Sequence, residues 1–201
     1  RPLIWSVMTA TTTPDFGELR SLLNQPEDAT RWRTLCWMLE RAWELAPREV
    51  ERAWLPYTLS HARAWPDALR RCPERWYRRM LREPGWPPGQ IVRVLRPVGL
   101  LEHPRRMAAL PRMSCWPHLT RLELSGQRLR DAQLEALLDA PPPALRALDI
   151  SRNELSASAL AWLATRPWLR ELRALSLGPL RDDVQDLTHL TAQANALTHL
   201  H

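Results

Sequence analysis

Along the second half of the chain, apolar residues return in one fixed pattern. LTRLELSGQRL (Leu119 to Leu129), LRALDISRNEL (Leu145 to Leu155), LRALSLGPLRD (Leu172 to Asp182) and the short LTHLH (Leu197 to His201), aligned on their first leucines, recur every 25 to 27 residues. Each copy is apolar at its first and fourth places, and at its sixth where it reaches that far. Apolar fourth and sixth places with polar or small residues around them predict a strand that buries one face. The spacing then becomes helical. Asp131 is placed to cap a helix carrying Leu134, Leu137 and Leu138, which Pro141, Pro142 and Pro143 end. Ser156 is placed to cap one carrying Leu160 and Leu163 that ends at Pro167, and Asp182 or Asp183 one carrying Val184, Leu187 and Leu190. A strand and helix of this size leave an apolar face that one unit cannot bury alone, so neighbouring units must stack.

Upstream, the pattern is helical. Residues 1–13 show no periodicity and read as a lead-in. Thr13 as an N-cap with Pro14 in the first turn predicts a helix through Leu19, Leu22 and Leu23. Asp28 predicts the cap of a second helix, whose Trp32, Leu35, Cys36, Leu39, Ala42, Trp43 and Ala46 form one stripe. A third helix from Pro47 sets Val50, Ala53, Trp54, Tyr57, His61, Ala64 and Trp65 on one face, and Pro56 inside it predicts a kink or break. A short turn of helix at Trp65-Pro66-Asp67 and a helix from Pro73 through Trp76, Tyr77, Met80 and Leu81 follow. EPGWPPG (Glu83 to Gly89) is the strongest breaker in the chain and marks the end of a helical domain, residues 14–88. Beyond it Val92, Leu95, Pro97 and Leu100 echo the repeat register 27 residues before Leu119, as a degenerate first repeat with a return segment at Pro104 to Leu110.

At these residues the chain resembles the leucine-rich repeat family, in its ribonuclease-inhibitor-like form. The motif L-x-x-L-x-L-x-x-N-x-L is met at Leu145, Leu148, Ile150, Asn153 and Leu155. Leu119, Leu122, Leu124 and Leu129 match with Gln127 in the asparagine slot, and Leu180 takes that slot in the next copy. The helical part, with WPDALR at Trp65 to Arg70 and WPHLTRL at Trp116 to Leu122, is similar to the N-terminal regions of uncharacterised leucine-rich repeat proteins of high-GC bacteria. The resemblance implies an α/β fold: an N-terminal α-helical cap domain, then a solenoid with parallel strands on its concave face and helices on its convex face. The solenoid would span residues 89–201, as a degenerate repeat over 92–118, full repeats over 119–144, 145–171 and 172–196, and a fourth strand cut off at His201, with more repeats expected beyond. It also implies that the asparagine side chain bonds backbone groups of adjacent turns, and that the protein is a bacterial scaffold for protein–protein interaction.

Composition changes this picture little. With 45% hydrophobic and 25% charged residues the chain can bury a real core, and no apolar run approaches the length that spans a bilayer. RPLIWSVM is too short for a secretory apolar region. Cys36, Cys72 and Cys115 are odd in number, far apart and without a C-x-x-C, which suggests neither a disulfide framework nor a zinc site and fits reduced thiols in a cytoplasmic protein. All 28 cationic residues are arginine, which points to a GC-rich coding sequence more than to separate demands for a guanidinium. The net charge of +6 is carried by residues 70–112, which hold 11 arginines against 3 acids.

Two surfaces therefore compete for function. On the concave face, places three, five and seven point outward: Arg121, Glu123 and Ser125; Ala147, Asp149 and Ser151; Ala174, Ser176 and Gly178; His199 and His201. Strands about 4.8 Å apart set Glu123, Asp149, Ser176 and His201 in one row. An acid, a serine and a histidine in a row do not make a hydrolase here, since Asp149 and His201 stand two strands apart and nothing supplies a nucleophile elbow or oxyanion hole. No phosphate loop and no metal-ligand spacing occurs, so a non-enzyme without cofactors is expected. The alternative is a basic adaptor that contacts nucleic acid or an acidic partner through residues 70–112. There Arg70, Arg71, Arg75, Arg78, Arg79 and Arg82 surround Trp76 and Tyr77, and Arg93, Arg96, Arg105, Arg106 and Arg112 follow. The same spacing also suits an ordinary amphipathic helix with a solvated basic side. Trp32, Trp43, Trp54, Trp65 and Trp76 recur every 11 residues, three helical turns, which keeps them on inward faces; Trp37 and Trp86 fall off those stripes and are candidate exposed contacts.

Overall fold

A computed structural model describes residues 14–99, 104–178 and 199–200. The chain mixes helices with one parallel sheet and divides into two compact units, residues 1–65 and 66–201. The lead-in, Thr13, Leu100, Leu180, His201 and the helix expected at Val184, Leu187 and Leu190 with its cap at Asp182 or Asp183 lie outside the described residues.

In the first unit, α1 (Phe16–Leu23) starts at Asp15, two residues later than the Thr13-Pro14 pair suggests. Asp15 with Glu18 three residues on is the stronger start signal: the Asp15 backbone N–H donates to Glu18 Oε2 at 3.5 Å. Helix α2 (Ala29–Leu45) is capped as expected, with Asp28 Oδ1 accepting from the N–H groups of Thr30 and Arg31 at 2.7 and 2.8 Å. Its Trp32, Leu35, Cys36, Leu39 and Ala42 are buried, while Trp43 is half-buried. Next comes α3 (Pro47–Glu49), a π-helical turn over Val50–Trp54 and α4 (Leu55–His61). The wide turn sits immediately before Pro56, whose ring would clash with the carbonyl four residues back in a regular helix. Phe16 closes on Trp54 and Tyr57, with ring centroids 5.7 and 5.5 Å apart, and Trp32 on Trp65 at 6.3 Å.

The second unit starts at Pro66, well before the breaker run at Glu83 to Gly89. The reason is packing. Residues 70–72 lie along the sheet edge, where the N–H groups of Arg93 and Val94 donate to Arg70 O and the N–H of Cys72 donates to Val94 O at 2.8 Å. The breaker run itself is anchored inside the unit. Ser114 donates its N–H to Pro84 O at 2.7 Å and its hydroxyl to Trp86 O at 2.5 Å. A Cβ on Gly89 would run into Ser114 Oγ and Met80 Sδ, so this close approach favours glycine. Trp86 is therefore not an exposed contact: it is 2% exposed and meets Trp76 edge-on with centroids 4.7 Å apart. Helix α5 (Glu74–Arg82) buries Trp76, Tyr77 and Met80 and turns Arg75, Arg78 and Arg82 outward.

The sheet contains β1 (Val94–Leu95), β2 (Arg121–Glu123), β3 (Ala147–Asp149), β4 (Ala174–Ser176) and β5 (His199–Leu200), all parallel and in chain order. Leu95 stands opposite Leu122, Leu122 opposite Leu148 and Leu148 opposite Leu175, so the fourth places of the sequence pattern coincide, including that of the segment after the breaker. Between the strands run α6 (Pro104–Ala109), α7 (Asp131–Leu138) and α8 (Ala157–Ala164), and α7 packs on α8. Leu119, Leu122, Leu124, Leu129, Leu134 and Leu138 are fully buried.

Candidate functional site

The period-two alternation of β2, β3 and β4 sends Leu122, Leu148 and Leu175 into the core and leaves their neighbours on the open face. Register sets Glu123, Asp149 and Ser176 in one row, and Arg121, Ala147, Ala174 and His199 in the next. Arg121, Glu123, Ala147, Leu148, Asp149, Ala174, Leu175 and Ser176 line a shallow groove of about 380 Å³. Its acids are already engaged. Asp149 Oδ1 accepts from the backbone N–H of Ser151 at 3.0 Å and from its hydroxyl at 2.6 Å. Ser151 in turn shares a hydrogen bond with Ser125 at 2.8 Å. Glu123 holds Arg71 in a two-toothed ion pair, at 2.5 and 2.8 Å. That hydrogen-bonded pairing is the main reason the Arg71 guanidinium is held above its ordinary range. Arg121 is exposed on the groove wall.

The repeat junction is built from side chains aimed at backbone. Asn153 donates from Nδ2 to Leu124 O at 3.0 Å and to Ile150 O at 2.8 Å, while its Oδ1 accepts from the N–H of Leu129 at 3.1 Å. Both Leu124 and Leu129 belong to the preceding strand-and-helix unit and are fully buried, so these groups have no water to turn to. Gln127, in the matching slot, donates to Ser125 O within its own turn at 3.4 Å. Asp131 does not cap α7, whose N-cap is Arg130. Its carboxylate instead accepts the Ser156 N–H at 2.9 Å and the Ser156 hydroxyl, which lets Ser156 accept from Ser158 N–H at 3.1 Å and cap α8. The sequence pattern finds Ser156 but places Asp131 one position early, as the cap of α7 rather than its first residue, because a cap one residue out of phase looks the same in one dimension.

The arginines of residues 70–112 do not form one basic face. Arg70 is 2% exposed, donates from Nε to Ile91 O at 2.9 Å and lies 3.9 Å from Asp67, leaving Nη2 without a hydrogen-bond partner. Burial, with Arg93 nearby, pushes its guanidinium down to about 10. Arg71 is spent on Glu123. Arg79 lies over the Trp86 ring at 5.0 Å and 3.4 Å from Glu83, and Arg93 donates from Nη1 to Gln90 O and Val92 O at 2.8 and 2.9 Å. Arg75, Arg78, Arg82, Arg96, Arg105 and Arg112 are exposed, and Arg106 is half-buried with Nη1 on Gly99 O at 2.9 Å. His118, beside Arg93 and Arg70, sits below the ordinary imidazole range chiefly because it is partly buried.

Among the described residues, no group of three His, Cys, Asp or Glu could hold a metal ion. Cys36, Cys72 and Cys115 are not disulfide-bonded to one another, and burial raises Cys115 to about 12, far from a reactive thiolate. No helix among the described residues is long and apolar enough to cross a membrane. Compared with protein-family models, curated proteins and solved structures, the chain matches none.

Proposed function

We propose that the chain is a non-enzymatic protein-interaction module: a leucine-rich repeat solenoid of ribonuclease-inhibitor-like units behind a helical cap domain, serving as a cytoplasmic scaffold. The observation that carries this reading is the parallel ladder in which Val94, Arg121, Ala147, Ala174 and His199 stand side by side. Residues one repeat apart become neighbours, as stacking of equivalent units requires. The contacts of Asn153 with the preceding turn are those the resemblance assigns to the family's asparagine. Ala147 and Ala174 keep the groove floor low, so a partner's backbone can approach the row formed by Glu123, Asp149 and Ser176.

The reading is tested by affinity capture from the organism that carries the protein, with the wild-type chain and an Ala147→Arg/Ala174→Arg pair compared. Two arginines on the groove floor fill it without touching the buried leucines. A partner retained by the wild type and lost at least tenfold by the pair, roughly a 1.4 kcal/mol change, is the expected result. Equal capture by both removes the sheet face as the binding surface.

A further inference from the structure

Away from the sheet face, α5 and α6 carry a second groove. Arg78, Leu81, Arg82, Arg105 and Arg106 line a depression of about 540 Å³. A neighbouring one of about 360 Å³ shares Arg78, Leu81 and Arg106 and adds Glu74, Tyr77 and Val98. Four guanidinium groups thus face one carboxylate among the lining residues. Arg82 and Arg105 are exposed and have no ion-pair partner among the described residues. Arg78 pairs with Glu74 at 2.6 Å, but with side chains 73% and 60% exposed that pair yields readily to a competing carboxylate. Val98 is 53% exposed, the most open of the large apolar side chains among the described residues. Positive charge and uncovered aliphatic surface therefore occur together.

We propose that this groove docks an acidic segment of a partner protein carrying an apolar side chain. Its carboxylates meet Arg78, Arg82 and Arg105, and its apolar side chain covers Val98 and Leu81. Carboxylates answer the unmatched charge, and the aliphatic floor answers a side chain that a phosphate backbone lacks. Nucleic acid fits less well. Trp76, Tyr77 and Trp86, the aromatic residues among these arginines, are buried and offer no ring for a base to stack on. Arg70, Arg71, Arg79 and Arg93 are committed to internal partners, which shortens any phosphate-tracking surface. This groove is independent of the sheet-face reading, and either can fail alone.

The test titrates the full chain with a fluorescent peptide of glutamates interrupted by leucines, its glutamate/serine counterpart, and a single-stranded oligonucleotide of equal charge. Arg82→Glu/Arg105→Glu should weaken the glutamate/leucine peptide roughly tenfold or more, and Val98→Ser should weaken it about threefold while leaving the glutamate/serine peptide unchanged. Arg52→Glu/Arg63→Glu, a charge-matched pair at exposed positions of the first unit, should change it by less than about twofold at moderate salt. Circular dichroism checks each fold, and a variant that loses the wild-type spectrum is replaced by its glutamine counterpart. The proposal is overturned by absence of saturable peptide binding, by equal weakening from the control pair, or by an oligonucleotide bound as tightly as the peptide.

Discussion

The junction between β2 and β3 and the edge beyond β1 solve the same problem with different materials. Both must attach a segment to the sheet through parallel backbone contacts. At the interior junction the attachment uses a neutral amide and one carboxylate, each directed at the adjacent unit's backbone: Asn153 back to Leu124 and Leu129, and Asp131 forward to Ser156. At the edge, residues 70–72 lie against β1, and arginines secure them: Arg70 turns inward to Ile91 O, and Arg71 reaches across β1 to Glu123 of β2. Val94, the bridge partner of Arg71, is 1% exposed although its register neighbour Arg121 lies open. The interior junction relies on short polar side chains that reach an adjacent unit's backbone, whereas the edge draws on a long side chain that crosses β1 to an acid on β2.

Four substitutions test how differently the two junctions are built. Asn153→Ala leaves buried backbone groups at Leu124 and Leu129 unpartnered and should lower the unfolding free energy by about 3 kcal/mol, read from a urea midpoint. A loss below about 1 kcal/mol would mean that the amide is incidental to the junction. Asp131→Ala removes the acceptor behind the α8 cap and should cost about 1.5 kcal/mol. With Ser156→Ala the combined loss should fall short of additive, since the two side chains form one unit. Arg71→Ala should cost the least, about 0.5–1 kcal/mol, because Arg71 is 48% exposed and its pair with Glu123 is partly screened. That loss should shrink in high salt while the Asn153→Ala loss does not, and identical salt dependence would erase the distinction between the two junctions.

The fold was legible where a signal repeats or stays local. The leucine register located β2, β3 and β4, and even β1, whose proline-bearing copy preserves the fourth-place leucine. Asp28, Ser156 and Pro56 acted where their local chemistry predicts. The EPGWPPG run misled because proline and glycine report that a helix stops, not that a domain does; Ser114, about 30 residues downstream, holds the run in place. Trp86 looked exposed because it lies off the 11-residue stripe, yet an irregular segment can present a ring to Trp76 as well as a helix can.

The same division applies to the candidate surfaces. Sequence alone determined which side chains share the open row of the sheet, because strand alternation and repeat spacing set that row without knowledge of anything distant. It also determined that positive charge gathers in residues 70–112. Tertiary structure decided how that charge is spent: Arg70 buried, Arg71 bound to an acid 52 residues away, and Arg78, Arg82, Arg105 and Arg106 brought to one groove. Charge is a property of composition, but its availability depends on burial and on partners contributed by remote segments, and those exist only once the chain has packed.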